Sequence, residues 1–233
     1  MKINIIGDIA GRYDELMLLL EKMPEADLIL SVGDMVDRGS QSKQVLEWFM
    51  NTENAEAIYG NHEDLFIQAV TANDCRDWMH NGGIATAANF IPEGKSVEDY
   101  QYWPDLMKDV TVSEDIIEWL KTRPMYFQTD DLIVSHAPIT SLKNIPADPL
   151  GRDFFFIWNR NEPRKPQDKF MIHGHNGQWK RHKWGDGTTF GICIDNSHSG
   201  RLTGIAWPSK EVYSVDFLDR EEHADHYRDI KAE

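Results

Sequence analysis

The chain has 233 residues and a formal net charge of −15 at pH 7, with 41% hydrophobic and 27% charged residues. This composition supplies a sizeable apolar core, and we interpret residues 1–233 as a single domain. The acidic balance argues against general affinity for nucleic acid duplexes or anionic membranes, which both need a basic surface, and leaves room only for a local basic pocket.

The sequence carries no feature of an exported or membrane protein. No apolar stretch approaches the length of a membrane span, and the opening MKINIIGD runs straight into an apolar strand without a leader-like segment. Cys75 and Cys193 lie far apart and form no CxxC pattern, so we expect two reduced thiols. These features predict a cytoplasmic protein with no membrane partner.

The first third of the chain alternates short apolar runs with segments of helical period. The predicted elements are a strand at Ile3–Ile6, a helix that carries Leu16, Leu19 and Leu20, a strand at Leu28–Val32, a helix at Lys43–Phe49, a short strand at Ala55–Tyr59 and a helix at Glu63–Val70. A strand, a loop and a helix thus occur three times in succession, which is typical of an α/β architecture.

A different pattern fills the middle of the chain. Residues from about 74 to 122 carry three tryptophans among helical and loop patterns, and we predict a helical cap inserted between two halves of a layered sheet. We interpret Trp78, Trp103 and Trp119 as the core of this cap, and an approach of its turn signal Asn81-Gly82-Gly83 to the functional residues stays open. The strands predicted after it are Leu132–Ser135, Phe170–His173, Phe190–Ile194 and Gly204–Trp207. A charged tail is predicted from about residue 219 to 233.

Polar side chains follow five of the predicted strands at the point where each strand ends. These residues are Asp8, Asp34, Asn61 with His62, His136 and His175. Because the carboxyl ends of strands line the ligand crevice of an α/β sheet, we expect the five loops to meet. Carboxylate, amide and imidazole ligands suit divalent metals such as Mn, Fe or Zn, and a carboxylate between two ions suits two-metal hydrolysis of a phosphate ester.

The ordered set GD, GDMVDRG, GNHE, HA and GH, which spans Met1 to Trp207, resembles the calcineurin-like metallophosphoesterases. In particular, it resembles the phosphoprotein-phosphatase branch that contains bacteriophage lambda and bacterial serine/threonine phosphatases. Each motif alone is weak, whereas the ordered set is specific. The resemblance implies a four-layer αββα fold and two divalent metals, with Mn as the leading candidate and Fe, Zn or Ni as alternatives.

The resemblance also implies roles for the metal ligands. Asp34 would bridge the two metals, and Asp8 would hold the first. Asn61, His136 and His175 would complete the second site.

Catalytic and substrate-binding roles follow in the same way. His62 would be the general acid, oriented by Asp37, and Arg38 and Arg160 would grip the phosphoryl oxygens. The branch often has an arginine where this chain has Tyr59, so one cationic phosphate contact is missing and the Tyr59 phenol is a candidate substitute.

The first motif departs from the family pattern at Ala10, where most members have a histidine that binds the first metal. The methyl group of alanine cannot coordinate a metal, so we predict that the first metal is weakly held or absent and that activity is reduced. Asp8 and residue 10 would point to one side of an extended strand end, so a histidine there would be correctly placed. Three explanations stay open: an engineered His-to-Ala change, which the intact His62 and Asp37 favour, a natural enzyme with one tight metal, or a pseudo-enzyme.

For several further polar residues the sequence predicts a structural or surface role, or leaves two roles open. His173 is predicted to be structural or to support the ligands from outside the metal site, and His198 is assigned to the surface or a polar loop. Asp195 and Asn196 are divided equally between a supporting role at the site and a simple turn.

The leading function is a metal-dependent phosphomonoesterase acting on phosphoserine, phosphothreonine or phosphotyrosine in proteins. The chief alternative is a nucleotide phosphohydrolase for dinucleoside polyphosphates or cyclic nucleotides, and the third is a non-catalytic phosphate-binding protein. Similar nucleotide hydrolases tend to lack the aspartate that precedes arginine in the second motif, so the presence of Asp37 favours the phosphatase.

Overall fold

The computed structural model describes residues 1–72, 74–145 and 147–218, so the predicted charged tail lies outside the described residues. The strands are β1 (Ile3–Ile6), β2 (Leu28–Ser31), β3 (Ala55–Ala57), β4 (Tyr126–Gln128), β5 (Leu132–Ser135), β6 (Phe170–His173), β7 (Lys180–Lys183), β8 (Thr189–Cys193), β9 (Arg201–Trp207) and β10 (Glu211–Asp216). The α-helices are α1 (Tyr13–Lys22), α2 (Ser42–Asn51), α3 (Asn61–Ala72), α4 (Arg76–His80), α5 (Gly83–Ala87), α6 (Trp103–Asp109), α7 (Glu114–Lys121) and α8 (Phe155–Trp158).

The strands form two mixed sheets of five strands each. The first has the order β10-β9-β1-β2-β3, and its β1, β2 and β3 run parallel. The second has the order β4-β5-β6-β8-β7, and its β5, β6 and β8 run parallel. Each sheet therefore has a parallel centre whose carboxyl ends form a common edge.

The alternation of side chains along β1 shows how the sheets are layered. Ile3 and Ile5 are fully buried in one cluster with Val134 of β5, so the two sheets pack face to face. Ile6 points the other way and belongs to a second cluster with Leu16 of α1. Helices thus cover the outside of the first sheet, and the predicted α/β fold of layered sheets is confirmed.

The cap predicted over about residues 74–122 contains α4, α5, α6, α7 and a short 3₁₀ helix at Val97–Asp99. Trp78 is fully buried and its ring lies 5.3 Å from that of Phe66 in α3. Trp103 is also buried, and Trp119 packs partly buried against the same cluster. The tryptophans therefore form the core of this segment and fix it against the first sheet.

Candidate metal centre

The predicted site residues meet at the common edge of the two sheets. Asp8 and Asp34 follow β1 and β2, Asn61 begins α3 after β3, and His136 and His175 follow β5 and β6. A cavity of about 50 Å³ opens at this edge. It is lined by Asp8, Asp34, Arg38, Asn61, His62, Asn81, Trp158, Arg160, His175, Asp195, Ser197 and His198. The cavity holds only a few water-sized ligands, so its lining groups share one small volume.

Four ligand atoms converge beside this cavity. The Asn61 Oδ1 atom lies 2.8 Å from His136 Nε2 and 2.9 Å from His175 Nδ1. The Asp34 Oδ1 atom is 3.3 Å from His136 Nε2. Ligand atoms of Asp34, His136 and His175 all lie within 4.8 Å of one another. The four residues predicted for the second metal thus form one compact group.

The chemistry of these contacts fits a bound cation. His136 Nδ1 lies 3.0 Å from the Val32 carbonyl, to which it donates, so its neutral ring presents a lone pair at Nε2. That lone pair faces acceptor oxygens of Asn61 and Asp34 rather than donors. His175 Nε2 is buried without a hydrogen-bond partner in the described part of the chain. Acceptors that face one another are stabilised by a shared divalent ion.

Burial and charge set the protonation states that such a site needs. Burial would raise the pKa of Asp34, but His136 and His62 outweigh it and the pKa falls to about 2. Burial and the neighbouring His136 lower the pKa of His175 to about 3, and burial also lowers the pKa of His136. Asp34 is therefore ionised and both imidazoles are neutral at pH 7, as metal ligands must be.

Several site residues adopt left-handed backbone conformations. The φ angles are 52° at Asp34, 74° at Asp37, 67° at Arg38 and 70° at His175. Each such conformation is uncommon for a residue with a side chain and is maintained by its surroundings, and clusters of this kind occur at functional sites. Contacts with the rest of the protein therefore hold these loops in the conformations that the site requires.

Glu63 holds the loop that carries Asp34. Its carboxylate accepts hydrogen bonds from the backbone N–H groups of Asp34 at 2.8 Å, Met35 at 2.7 Å and Gly60 at 2.9 Å. Burial and the Asp34 carboxylate raise the pKa of Glu63 to about 7. This role is not predicted from the sequence, although Glu63 is the last residue of the GNHE motif.

We expect Glu63→Gln to lower the free energy of unfolding by about 1–3 kcal/mol at pH 4, where Glu63 is protonated in the folded chain and largely protonated in the unfolded chain. At higher pH the raised pKa means that ionised Glu63 itself costs stability, a cost that glutamine would relieve. A glutamine has only one acceptor oxygen and turns its NH₂ group toward backbone donors, which leaves buried groups unsatisfied. Urea denaturation of the metal-free protein measures the change. Glu47→Gln, at an exposed site, is the matched control with an expected change below about 0.5 kcal/mol. Equal stability of the two variants would contradict the role of Glu63.

His62 and Asp37 form a buried pair beside the ligands. His62 Nδ1 lies 2.6 Å from Asp37 Oδ2, and Arg38 Nη2 donates to His62 Nε2 at 2.9 Å. Burial lowers the pKa of His62, but the carboxylates of Asp34 and Asp37 more than offset this effect and raise it overall. The geometry places the outer nitrogen of a carboxylate-supported imidazole at the cavity.

Two cap residues support this pair from behind. Trp78 Nε1 and Thr86 Oγ1 each donate to Asp37 Oδ1 at 2.8 Å. The Arg38 N–H donates to the Gly82 carbonyl at 3.2 Å and Asn81 lines the cavity, so the Asn81-Gly82-Gly83 turn reaches the site, which the sequence left open. From the sequence, Trp78 is predicted only as part of the cap core, and Thr86 lies in no motif.

Arg160 and Tyr59 are the two remaining residues predicted to bind substrate, and only Arg160 lies at the cavity. Arg160 lines it, and its Nη1 donates to the His175 carbonyl at 3.2 Å. Tyr59 is not among the lining residues: its hydroxyl donates to Asp64 at 3.1 Å and Arg152 lies 3.6 Å above its ring. This placement corrects the prediction of a substrate contact by Tyr59, because the phenol already has partners outside the cavity.

Ala10 is buried next to the loop that carries Asp34. Its N–H donates to the Asp34 carbonyl at 2.8 Å, and its carbonyl accepts from the Gly39 N–H at 2.9 Å. Because β1 ends at Ile6 and Ala10 has a φ of 50°, the expectation of an extended strand end at residue 10 is wrong. The residue lies in a turn whose backbone is bonded to the second motif.

Asp195 combines both interpretations that the sequence left open. It accepts hydrogen bonds from the Ser197 N–H at 3.0 Å and from the Gly177 N–H, which makes it a turn residue. It is also buried and lines the cavity. His173 points elsewhere, with its Nε2 2.8 Å from the ring of His182, and is structural as predicted.

The fold and this ligand geometry define a metallophosphoesterase. The family described as calcineurin-like phosphoesterase matches residues 1–203, and the chain belongs to this family. Of the helices in the described ranges, none has both the length and the hydropathy needed to span a bilayer.

Proteins of similar sequence include both serine/threonine-protein phosphatases and symmetrical bis(5'-nucleosyl)-tetraphosphatases. A stretch of 82 residues is 37% identical to serine/threonine-protein phosphatase 2 of Escherichia coli (strain K12), which covers 34% of this chain and 37% of that protein. A stretch of 160 residues is 30% identical to a symmetrical bis(5'-nucleosyl)-tetraphosphatase of Cronobacter sakazakii, which covers 66% of this chain and 49% of that protein. The chain therefore spans between about a third and a half of the length of these relatives.

Solved structures match over more of the chain. A proposed diadenosine tetraphosphatase superposes with a TM-score of 0.67 at 16% identity, covering 94% of both chains. A metallophosphoesterase from Sphaerobacter thermophilus has a TM-score of 0.55 at 15% identity, covering 94% of this chain and 89% of the other. At these identities the likeness concerns the fold alone.

Proposed function

We propose that this protein is a metal-dependent phosphoesterase that hydrolyses phosphomonoesters on serine and threonine residues of proteins. One observation carries the proposal: His62, which is paired with the buried Asp37, lines the same small cavity as Arg38, Arg160 and Asp34. A proton donor, anion-binding groups and metal ligands thus share one volume, which is what phosphoryl transfer to water requires.

The donor set determines which residues would hold the ions. Asp34, Asn61, His136 and His175 would hold one ion, and Asp8 with Asp34 would contribute to another. Divalent ions supply Lewis-acid stabilisation and an activated nucleophile in phosphoester hydrolysis. The mixture of oxygen and nitrogen ligands supports manganese as the proposed metal, with iron, zinc or nickel as alternatives.

Other side chains at the cavity bind the substrate and transfer the proton. Arg38 and Arg160 bind the phosphoryl oxygens with their planar forks. Arg38 now donates to His62 Nε2, and a substrate that engages Arg38 frees this nitrogen. Nε2 then takes a proton from solvent, which the raised pKa of His62 favours, while the Nδ1–H group stays bonded to Asp37. The resulting imidazolium gives the Nε2 proton to the leaving oxygen, and Asp37 orients the ring.

In this proposal, Ala10 lowers the number of protein ligands at the first metal site. Without an imidazole at residue 10, the first ion has fewer protein ligands than the second, so it binds more weakly and limits activity. The proposal therefore includes one tight and one weak ion per chain. A cytoplasmic location is part of the proposal as well, supported by the free thiols of Cys75 and Cys193.

The preference for a protein substrate rests on Asp37, which supports proton donation to a poor leaving group such as a serine alkoxide. A nucleotide substrate is the second candidate because of an aromatic surface at the rim. Trp158 lines the cavity and stacks on Phe154 with ring centroids 5.6 Å apart. Phe154 is 68% exposed and offers a flat face to a base.

A substrate panel with manganese tests the choice. We expect kcat/KM to be at least about tenfold higher for a phosphothreonine peptide than for diadenosine tetraphosphate, which corresponds to about 1.4 kcal/mol of transition-state stabilisation. We also expect Phe154→Ala to leave the peptide reaction within about twofold. A reversed preference that Phe154→Ala abolishes would favour the nucleotide hydrolase, and binding of phosphate without turnover of any substrate would favour the non-catalytic protein.

A further inference from the structure

The turn after β8 brings His198 into the lining of the cavity. Three buried carboxylates, those of Asp8, Asp34 and Asp195, share this lining. His198 is the middle residue of a 3₁₀ turn at Ser197–Ser199. Besides the ligands of the second site, the cavity therefore offers further imidazole and carboxylate groups that suit a divalent metal.

The His198 ring has a defined place against Gly177. A Cβ atom on Gly177 would lie 2.2 Å from Cε1 and 2.3 Å from Nδ1 of His198, so any side chain at residue 177 would displace the ring. The His198 N–H donates to the Gly177 carbonyl at 3.1 Å, and the Gly177 N–H donates to Asp195. Gly177 has a φ of 74°, which favours glycine independently. The loop thus leaves room at residue 177 for an imidazole that arrives from residue 198.

Two groups in this lining have few or no hydrogen-bond partners among the described residues. The Asp8 carboxylate accepts hydrogen bonds only from the His175 N–H, at 3.1 and 3.4 Å. The His198 ring makes no hydrogen bond to another described residue. A buried carboxylate with so few donors needs a cation, and an imidazole without a partner is free to coordinate one.

We propose that His198 supplies the nitrogen ligand of the first metal in this chain, together with the carboxylates of Asp8 and Asp34, and so replaces the histidine that is missing at residue 10. This inference rests on the metal dependence proposed above. It adds a role to the exposed polar turn in which His198 lies, as the sequence predicts, and it makes the first site weaker than the second because its imidazole comes from that exposed turn.

Manganese binding to four folded proteins tests this role: the native chain, His198→Ala, Ala10→His and the double variant. In the native background, His198→Ala is expected to raise the dissociation constant of the weaker ion at least about tenfold and leave the tighter ion unchanged, since loss of even an outer-shell partner of a ligand costs 10–100-fold. In the Ala10→His background, His198→Ala is expected to change the dissociation constant of the weaker ion less than about threefold, because residue 10 then supplies the imidazole.

Electron spin-echo spectroscopy of Mn²⁺ at the weaker site gives a readout independent of activity. We expect a directly bound imidazole nitrogen in the native chain and its loss in His198→Ala. His198→Gln checks that packing is not responsible, and His80→Ala removes an imidazole that contacts Trp103 instead of the cavity. An unchanged dissociation constant in His198→Ala, or equal losses in both backgrounds, would overturn the proposal. Failure to bind any manganese in any variant would instead overturn the proposed function.

Discussion

Replacing His62 with asparagine in an Ala10→His background is expected to lower kcat on a phosphoserine peptide by about 10²–10⁴-fold, the usual contribution of general acid–base catalysis. The serine alkoxide is a poor leaving group and needs a proton as it departs. The loss should shrink with p-nitrophenyl phosphate, whose leaving group departs without help. Parallel steady-state kinetics on the two substrates measure the difference.

Metal binding serves as the control for this variant. The His62 ring is engaged by Asp37 and Arg38 and contributes no ligand, while its backbone N–H donates to Asp34 Oδ1 at 3.0 Å and remains in the asparagine variant. We therefore expect unchanged manganese content. His80→Asn, away from the cavity, should leave both reactions unaffected. Equal losses on the two substrates, or loss of metal, would contradict the assignment of His62 as the acid.

Restoring an imidazole in the first motif with Ala10→His should raise activity on p-nitrophenyl phosphate at least about tenfold at limiting manganese, which corresponds to only about 1.4 kcal/mol. A second nitrogen donor would fill the weaker site at lower metal concentration. Histidine is among the residues enriched at positive φ, so it suits the φ of 50° at residue 10. Tightly bound manganese should rise from about one ion per chain to about two, as an independent measure of the restored ligand.

Ala10→Asn is the matched control, because asparagine also tolerates positive φ but carries no imidazole. It should leave activity within about threefold of the native chain. The activity gain of Ala10→His should shrink at saturating manganese, where the weaker site of the native chain is also filled. A folded Ala10→His protein that binds two ions and shows unchanged or lower activity would contradict the account of the first motif.

The central strands could be predicted from the sequence, whereas most of the edge strands could not. The bounds of β1, β5 and β6 agree with the prediction because these strands are buried on both faces and form continuous apolar runs. The missed strands β4, β7 and β10 all lie at sheet edges. The sequence of β7 is KRHK with one buried residue, so it carries no apolar signal.

The same distinction applies to the site. The ligands follow buried strands in ordered motifs, and the structure brings Asp8, Asp34 and Asn61 together as predicted. Thr86 and His198 lie outside those motifs and reach the site through the packing of a cap helix and a turn, which no local pattern records. Tyr59 shows the opposite error, because a motif position alone does not reveal a competing hydrogen-bond partner.

The measurement that tests the central claim most directly is hydrolysis of p-nitrophenyl phosphate by chelator-treated protein before and after the addition of manganese. We expect no turnover in the metal-free protein, turnover once manganese is added, and none in Asp34→Asn under either condition, since Asp34 lies among the ligands of the tight site. Undiminished activity of the metal-free protein, or full activity of Asp34→Asn, would contradict a metal-dependent phosphoesterase built on this cavity.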